Sequence, residues 1–197
     1  MRCSSIEGVF VIKTNSVLKI SISGLLIAVG IIIPVFSPIR IVLEPASFTL
    51  ASHVAIFIAM FISPGIAVAV AVGTTIGFFI GGFPLVVVLR AASHIVFSII
   101  GSIYLLKFPL NMHSAIKLRV FSFLVALIHA FCEVIVVSIF YFSGYASVAY
   151  YQNGFLMTVV LLVGFGTVIH SMIDFEIANG IMVALKHSKI IQSRQGL

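Results

Sequence analysis

The chain has 197 residues, of which 61% are hydrophobic and only 8% are charged, and its formal net charge is +6. Soluble domains carry about 25% charged residues, so this chain has too few charges to cover a water-facing surface and needs lipid as its solvent. Its basic residues lie mainly in loops and tails, which fits the positive-inside rule of membrane proteins better than nucleic-acid binding.

The apolar runs predict an all-α integral membrane protein. At about 20 apolar residues per span, this length holds about six transmembrane helices and little else. Helices are expected because backbone groups in lipid must pair within their own segment. The predicted spans are residues 17–36, 50–62, 65–80, 85–106, 119–143 and 154–185. Residues 17–186 are expected to form one transmembrane domain between an N-terminal segment, 1–16, and a C-terminal tail, 187–197.

The basic residues predict the orientation. Six spans put both tails on one side of the membrane, and Arg40 is then the one basic residue in a loop on the other side. The basic residues on the side of the tails are Arg2, Lys13, Lys19, Lys107, Lys117, Arg119, Lys186, Lys189 and Arg194. Because short cytoplasmic loops are enriched in lysine and arginine, both termini are predicted to face the cytoplasm.

Several ionisable residues fall inside the predicted spans. Arg90 and His94 share one face of the fourth span, His129 and Glu133 share one face of the fifth, and His170 lies in the sixth. At about 1.5 Å per residue, they lie roughly 8 to 24 Å from the outer ends of their spans. Ionisable groups at such depth are costly and usually mark a functional site.

The predicted site is a polar pocket in the outer half of the bundle, lined by the fourth, fifth and sixth helices. Arg90 suits a carboxylate or another anion, which it can bind with two parallel hydrogen bonds. The histidines, with His53 as a further candidate, suit hydrogen bonding to a ligand. The predicted roof consists of loop residues, of which the tyrosines can stack on a flat ring. These roof residues are Arg40, Glu44, Tyr145, Tyr150 and Tyr151.

Two other interpretations of the same residues stay open. Arg90 and Glu133 can pair with each other, with the histidines acting only as hydrogen-bonding links between helices. Alternatively, His129 and Glu133, with His94 and His170 nearby, offer metal ligands. A metal is not predicted, because Arg90 one layer away disfavours a cation. Asp174 and Glu176 are interpreted as interfacial or helix-end positions.

Small residues form two stripes. The third span carries small residues at every fourth position from Ala69 to Gly81, which predicts close packing inside the bundle. The first span carries Ser21, Gly24 and Ala28 on one face, which either packs internally or meets another membrane protein. The sequence contains no P-loop, so the chain is not expected to hydrolyse ATP by itself.

Four runs carry a resemblance to a known family. The first is PASFTLASH at 45–53 together with its continuation FIAMFISP at 57–64. The other three are GTT at 73–75, GFP at 82–84 and VLRAASH at 88–94. With these runs the chain resembles the S components of energy-coupling factor vitamin transporters, and among them the niacin-specific branch. The similarity is good over residues 21–105 and less distinctive over 170–178.

The resemblance implies a substrate-binding subunit of a bacterial plasma membrane. Such proteins have six helices with both ends inside, and they bind a vitamin, here niacin, with high affinity at the outer face. The family places its ligand between the first loop and helices four to six. In this chain Arg90 would take the nicotinate carboxylate, and His94 or a protonated Glu133 would meet the ring nitrogen.

The resemblance also implies partners. S components associate with a transmembrane coupling protein and two cytoplasmic ATPases, and are thought to topple in the membrane to deliver the ligand. A small-residue motif, Ala-x-x-x-Ala, on the first helix contacts the coupling protein. Gly24 and Ala28 occupy the matching positions here, so glycine replaces the first alanine.

Three rival functions remain at this stage. A self-contained ion-coupled transporter would use His129, Glu133 and His170 as a proton relay, and it predicts uptake by the chain alone. An intramembrane enzyme would use a histidine-bound metal. The chain could also be a purely structural membrane partner. Because the sequence shows no nucleophile constellation, we predict neither an enzyme nor a cofactor.

Overall fold

A computed structural model describes residues 16–43, 46–108, 114–144 and 148–187. The described chain is mostly helical, with one short β-hairpin. In chain order the elements are α1 (Ser16–Phe36), β1 (Arg40–Leu43), β2 (Ala46–Thr49), α2 (Val54–Ile62), α3 (Pro64–Ile80), α4 (Leu85–Lys107), α5 (Ala115–Phe142), α6 (Val148–Gln152), a π-helical segment (Leu156–Phe165) and α7 (Gly166–His187).

The helices match the predicted spans in position but not all in length. Four helical stretches of the described chain are long and apolar enough to cross a membrane: α1, α4, α5 and the continuous run Leu156–Leu185. The apolar helix α3 has 17 residues and α2 has only 9. At 1.5 Å per residue α2 extends about 14 Å, roughly half of a hydrocarbon core. The structure therefore supports a membrane protein, and the count of six spans stays a prediction.

Local sequence signals explain where α2 gives way to α3. The Ser63 hydroxyl accepts a hydrogen bond from the Ile66 N–H at 3.2 Å, which caps the start of α3. Pro64 occupies the first turn of that helix, where its missing N–H costs nothing. A continuous apolar run is thus divided into two helices, as the Ser-Pro pair predicts.

The first loop contains a structure that the sequence analysis did not predict. β1 and β2 pair antiparallel, with Arg40 opposite Thr49 and Leu43 opposite Ala46. Strand formation follows from the β-branched and aromatic residues of this segment, such as Ile41, Val42 and Phe48. The all-α fold class is therefore correct for the apolar helices, whereas the first loop adds a small sheet.

Glycines let α1 and α3 approach closely. A Cβ atom at Gly73 would clash with the Ile27 side chain, and one at Gly77 would clash with Ile31. A Cβ atom at Gly30 would lie 2.6 Å from Thr74 Cγ2. The later glycine of α3 meets the later isoleucine of α1, so α1 and α3 run parallel. The predicted internal packing of the third-span stripe is confirmed at these two glycines.

The hairpin lies against the start of α7. A Cβ atom at Gly166 would lie 2.5 Å from Phe48 Cζ, so glycine leaves room for the Phe48 ring. The same ring contacts the His170 imidazole, with the ring centroids 5.6 Å apart. The glycine where the π-helical segment meets α7 thus positions the hairpin beside the polar interior of the bundle.

Candidate ligand-binding site

Ionisable side chains from four helices meet inside the bundle. His53 lies at the N-terminus of α2, and the others lie on α4, α5 and α7. We refer to them as the polar cluster, whose members are His53, Arg90, His94, His129, Glu133, His170 and Asp174. The predicted site residues on helices four to six are therefore brought together, and His53 and Asp174 join them.

Glu133 is the centre of one half of the cluster. Its Oε2 accepts hydrogen bonds from Arg90 Nη2 at 2.9 Å and from Thr167 Oγ1 at 2.6 Å. Its Oε1 lies 3.4 Å from His94 Nε2 and 3.5 Å from His129 Nε2. The Arg90–Glu133 pair that the sequence analysis kept as an alternative is thus present, and it links α4, α5 and α7.

His53 is the hub of the imidazoles. Its ring packs edge-on against His94 and His129, with centroids 4.7 Å apart in both cases. The His170 ring lies on a third side, at a centroid distance of 5.0 Å. The chain enters α2 directly from the hairpin, so the turn before α2 places His53 in the middle of the cluster.

The interpretation of Asp174 as a helix-end residue is wrong. Its side chain is completely buried, because α7 continues to His187 and Asp174 lies in mid-helix. Oδ1 accepts from the Ala51 N–H and Oδ2 from the His53 N–H, both at 2.8 Å. His170 and Asp174 lie at i and i+4, the spacing also seen in His129 and Glu133, and this signal could have revealed the residue. Glu176 is exposed.

Four side chains of the polar cluster keep a small exposed fraction. The side chains of His53, Arg90, His94 and His170 retain 12%, 10%, 9% and 10% of their exposure, whereas Asp174 and His129 retain none. The cluster is therefore not sealed, and a small polar molecule has a surface to approach.

The predicted roof lies mostly outside the described residues. Glu44 and Tyr145 are not among them, and for Arg40 and Tyr150 the structure describes the backbone but not the side chains. The Tyr151 hydroxyl donates to the Tyr141 carbonyl oxygen at 2.9 Å, so that ring packs on the end of α5. The roof stays a prediction.

The small-residue stripe of α1 faces outward. Ser21, Gly24 and Ala28 are all exposed, and a Cβ atom at Gly24 would have no other atom within 4 Å. Of the two roles left open for this stripe, internal packing does not apply to Gly24. The opposite side of α1, with Leu26 and Gly30, is the side that packs on the bundle.

Long apolar helices around a cluster of ionisable side chains define the class of this chain: an integral membrane protein with charged groups inside its helix bundle. No protein-family model matches the chain, and no solved structure matches it. The chain is 39% identical over 169 residues to the niacin transporter NiaX of Lactococcus lactis subsp. cremoris (strain MG1363). The alignment covers 86% of this chain and 75% of that protein.

The chain therefore belongs to the family of this niacin transporter, the S components of energy-coupling factor transporters. The family resemblance carried by the four sequence runs is confirmed.

Proposed function

We propose that this chain is the high-affinity substrate-binding subunit of a niacin uptake system in a bacterial plasma membrane. It would bind nicotinate at the polar cluster and deliver it through a coupling protein and two ATPases, without catalysing a reaction itself. The observation that carries this proposal is the similarity to a niacin transporter over most of the chain. A largely buried cluster of guanidinium, imidazole and carboxylate groups with some residual exposure supports it.

Nicotinate suits the chemistry of the cluster. The ligand is a flat pyridine with one carboxylate, so it needs a cation or several N–H donors at one end and a hydrogen-bonding group at the other. Arg90 carries five N–H donors in a planar fork, which allows it to bridge Glu133 and a ligand carboxylate. His94 lies one helical turn from Arg90 and can meet the ring nitrogen. His129, His170 and His53 complete the polar wall.

The proposed orientation puts the cluster on the outer side, with six spans and both tails in the cytoplasm. Four basic residues of the described chain lie at the helix ends remote from the hairpin. Lys19 lies in the first turn of α1, Lys107 ends α4, and Lys117 and Arg119 lie in the first two turns of α5. A concentration of lysine and arginine at this end supports its placement in the cytoplasm. The hairpin and the polar cluster then face the outside.

The outward stripe of α1 supports a partner interface at Gly24 and Ala28. Small exposed residues let a second helix approach closely within the membrane. The chain has no P-loop of its own, so an ATP-driven cycle needs the partner ATPases. A Gly24→Leu variant should bind nicotinate as the unsubstituted chain does but fail to support uptake by the complete system. Val17→Leu, at another exposed position of α1, is the control.

The direct test is binding of tritiated nicotinate to the purified chain in detergent. We expect saturable binding of one ligand per chain, with a dissociation constant below about 1 µM. Nicotinamide and unrelated vitamins are added as competitors. The Arg90→Gln/Glu133→Gln double variant removes both buried charges together and should keep the fold while losing affinity. Arg119→Gln, at an exposed arginine on α5, is the matched control.

Unchanged affinity in the double variant would contradict the role of Arg90. The proposed function itself would be contradicted if the chain bound no nicotinate, or if it alone accumulated nicotinate in liposomes under a pH gradient. The second result would favour the ion-coupled transporter, in which the buried His129, Glu133 and His170 relay protons.

A further inference from the structure

Four polar atoms converge on one point in the half of the cluster nearest the hairpin. They are Ser52 Oγ, His53 Nδ1, His170 Nε2 and Asp174 Oδ2. His53 Nδ1 lies 3.1 Å from each of the other three. His170 Nε2 lies 3.0 Å from Ser52 Oγ and 3.4 Å from Asp174 Oδ2. Five of the six edges of the tetrahedron that these atoms define therefore measure between 3.0 and 3.4 Å.

Hydrogen bonds to Ser52 and Asp174 account for only part of this arrangement, because they leave the two imidazole nitrogens 3.1 Å apart. An imidazole nitrogen carries either one proton or one lone pair, so it makes one good hydrogen bond. His53 Nδ1 nevertheless has three polar atoms at equal distance, and one of them is the nitrogen of a second imidazole. A single positive centre between the four atoms would satisfy all of them at once.

We propose that Ser52, His53, His170 and Asp174 form a binding site for a divalent transition-metal ion of the Zn²⁺ type. Zinc binds histidine nitrogen and carboxylate oxygen at 2.0–2.2 Å with tetrahedral geometry, which separates neighbouring ligand atoms by about 3.3 Å. The observed separations of 3.0 to 3.4 Å agree with that value. Two imidazoles, a carboxylate and a hydroxyl favour zinc over calcium and over soft monovalent copper.

The surroundings of Asp174 support a metal ligand. Its carboxylate is fixed by two backbone N–H groups, those of Ala51 and His53, as ligating carboxylates usually are. Ala51 adopts a φ of +67°, a left-handed conformation that a residue with a Cβ rarely takes. Backbone strain of this kind is typical of functional sites, and here it directs the Ala51 N–H toward the carboxylate.

The other possible set, around Glu133, is a weaker candidate. His94 and His129 approach that carboxylate only to 3.4 and 3.5 Å, and Arg90 and Thr167 already donate to it. Asp174 differs because the side-chain nitrogens within 3.4 Å of its carboxylate, among the described residues, are both imidazoles. The residual exposure of His53 and His170 gives an ion a way in.

The metal site goes beyond the proposed function and is tested without any vitamin. The complete chain, purified with an affinity tag that contains no histidine, is stripped with a chelator, incubated with ZnCl₂ and desalted. Elemental analysis should find about one zinc per chain. Asp174→Asn and His170→Ala should each lower the retained zinc at least about tenfold. Glu176→Gln removes an exposed carboxylate from the same helix and should retain the ion.

Less than about a tenth of a zinc per unsubstituted chain, or equal retention by Asp174→Asn, would overturn the proposal. If both variants fail to fold, Co²⁺ bound to the unsubstituted chain decides the question. A tetrahedral site gives Co²⁺ an intense visible absorption, and a weak octahedral spectrum would contradict the site.

Discussion

Two buried histidine–carboxylate pairs in this protein share one spacing and differ in their surroundings. His129 and Glu133 on α5, and His170 and Asp174 on α7, are both placed at i and i+4. The carboxylate of Glu133 is neutralised by a guanidinium. The described contacts of Asp174 are two backbone N–H groups and two imidazoles. The same spacing therefore gives two different surroundings, because the groups that contact each carboxylate from the other helices determine the charge of each half.

The largest loss of stability is expected from a substitution in the half of the polar cluster around Glu133. Arg90→Ala leaves Glu133 buried without its cation, and loss of one partner of a buried ion pair typically costs about 3–5 kcal/mol. Thermal unfolding in detergent should show the loss. The Arg90→Gln/Glu133→Gln double variant should recover most of the stability. An equally low melting temperature in the double variant would show that the pair is not the source of the effect.

At the Asp174 half, the neutral Asp174→Asn variant should cost about 3 kcal/mol in the absence of metal, since two backbone N–H groups lose a charged acceptor. Zinc at about 100 times its dissociation constant should stabilise the unsubstituted chain by about 2.7 kcal/mol. The variant should gain nothing from zinc. A thermal shift with zinc in Asp174→Asn as large as that in Glu176→Gln would contradict the contrast between the two halves.

A smaller effect should come from Thr167, which donates to Glu133 Oε2 at 2.6 Å. Thr167→Val keeps the shape of the side chain and removes a hydrogen bond to a charged group, at a cost of about 1.5 kcal/mol. Thr75→Val is the control, because the Thr75 hydroxyl donates only to the Ala71 carbonyl oxygen of its own helix. Equal melting temperatures for the two variants would show that Thr167 does not stabilise the Glu133 half.

The smallest expected effect is a gain in stability. Ala51→Gly removes the strain of a positive φ, worth about 1–2 kcal/mol. Part of the gain is offset by the greater freedom of glycine in the unfolded chain, so a net stabilisation of about 0.5–1 kcal/mol is expected. Thermal unfolding measures it, and zinc content shows whether the strain is needed to hold Asp174. A drop in stability would mean that the Ala51 side chain contributes more than its backbone costs.

The positions of the apolar helices in the described part of the chain could be predicted from the sequence because hydropathy alone determines which segments suit lipid. Ionisable residues within an apolar run stand out in a single sequence, so the polar residues of the longer helices could also be predicted. They are Arg90, His94, His129, Glu133 and His170. Contacts between distant segments carry no such signal. The hub position of His53 depends on how the hairpin returns to α2, a geometry that no local pattern encodes.

Asp174 was missed for a different reason. In the predicted sixth span, residues 154–185, Asp174 lies toward the inner end, so its carboxylate is assigned to an interfacial or helix-end position. In the structure the π-helical segment occupies the beginning of that span and α7 continues the bundle interior. Counting depth from the end of a hydrophobic run assumes a uniform α-helix, and this segment is not uniform.

The π-helical segment also determines the direction in which the side chains of α7 point. At its end the Gly166 N–H donates to the carbonyl oxygens of Leu161, five residues back, and Val163, three residues back, rather than to the residue four back as in an α-helix. The segment therefore carries a surplus of chain relative to a regular helix. Each residue of an α-helix turns by about 100°. Removing one residue here would rotate everything beyond Gly166 by that angle, and Thr167, His170 and Asp174 would swing out of the interior together. The length of this segment thus determines which face of α7 packs against α2 and α5.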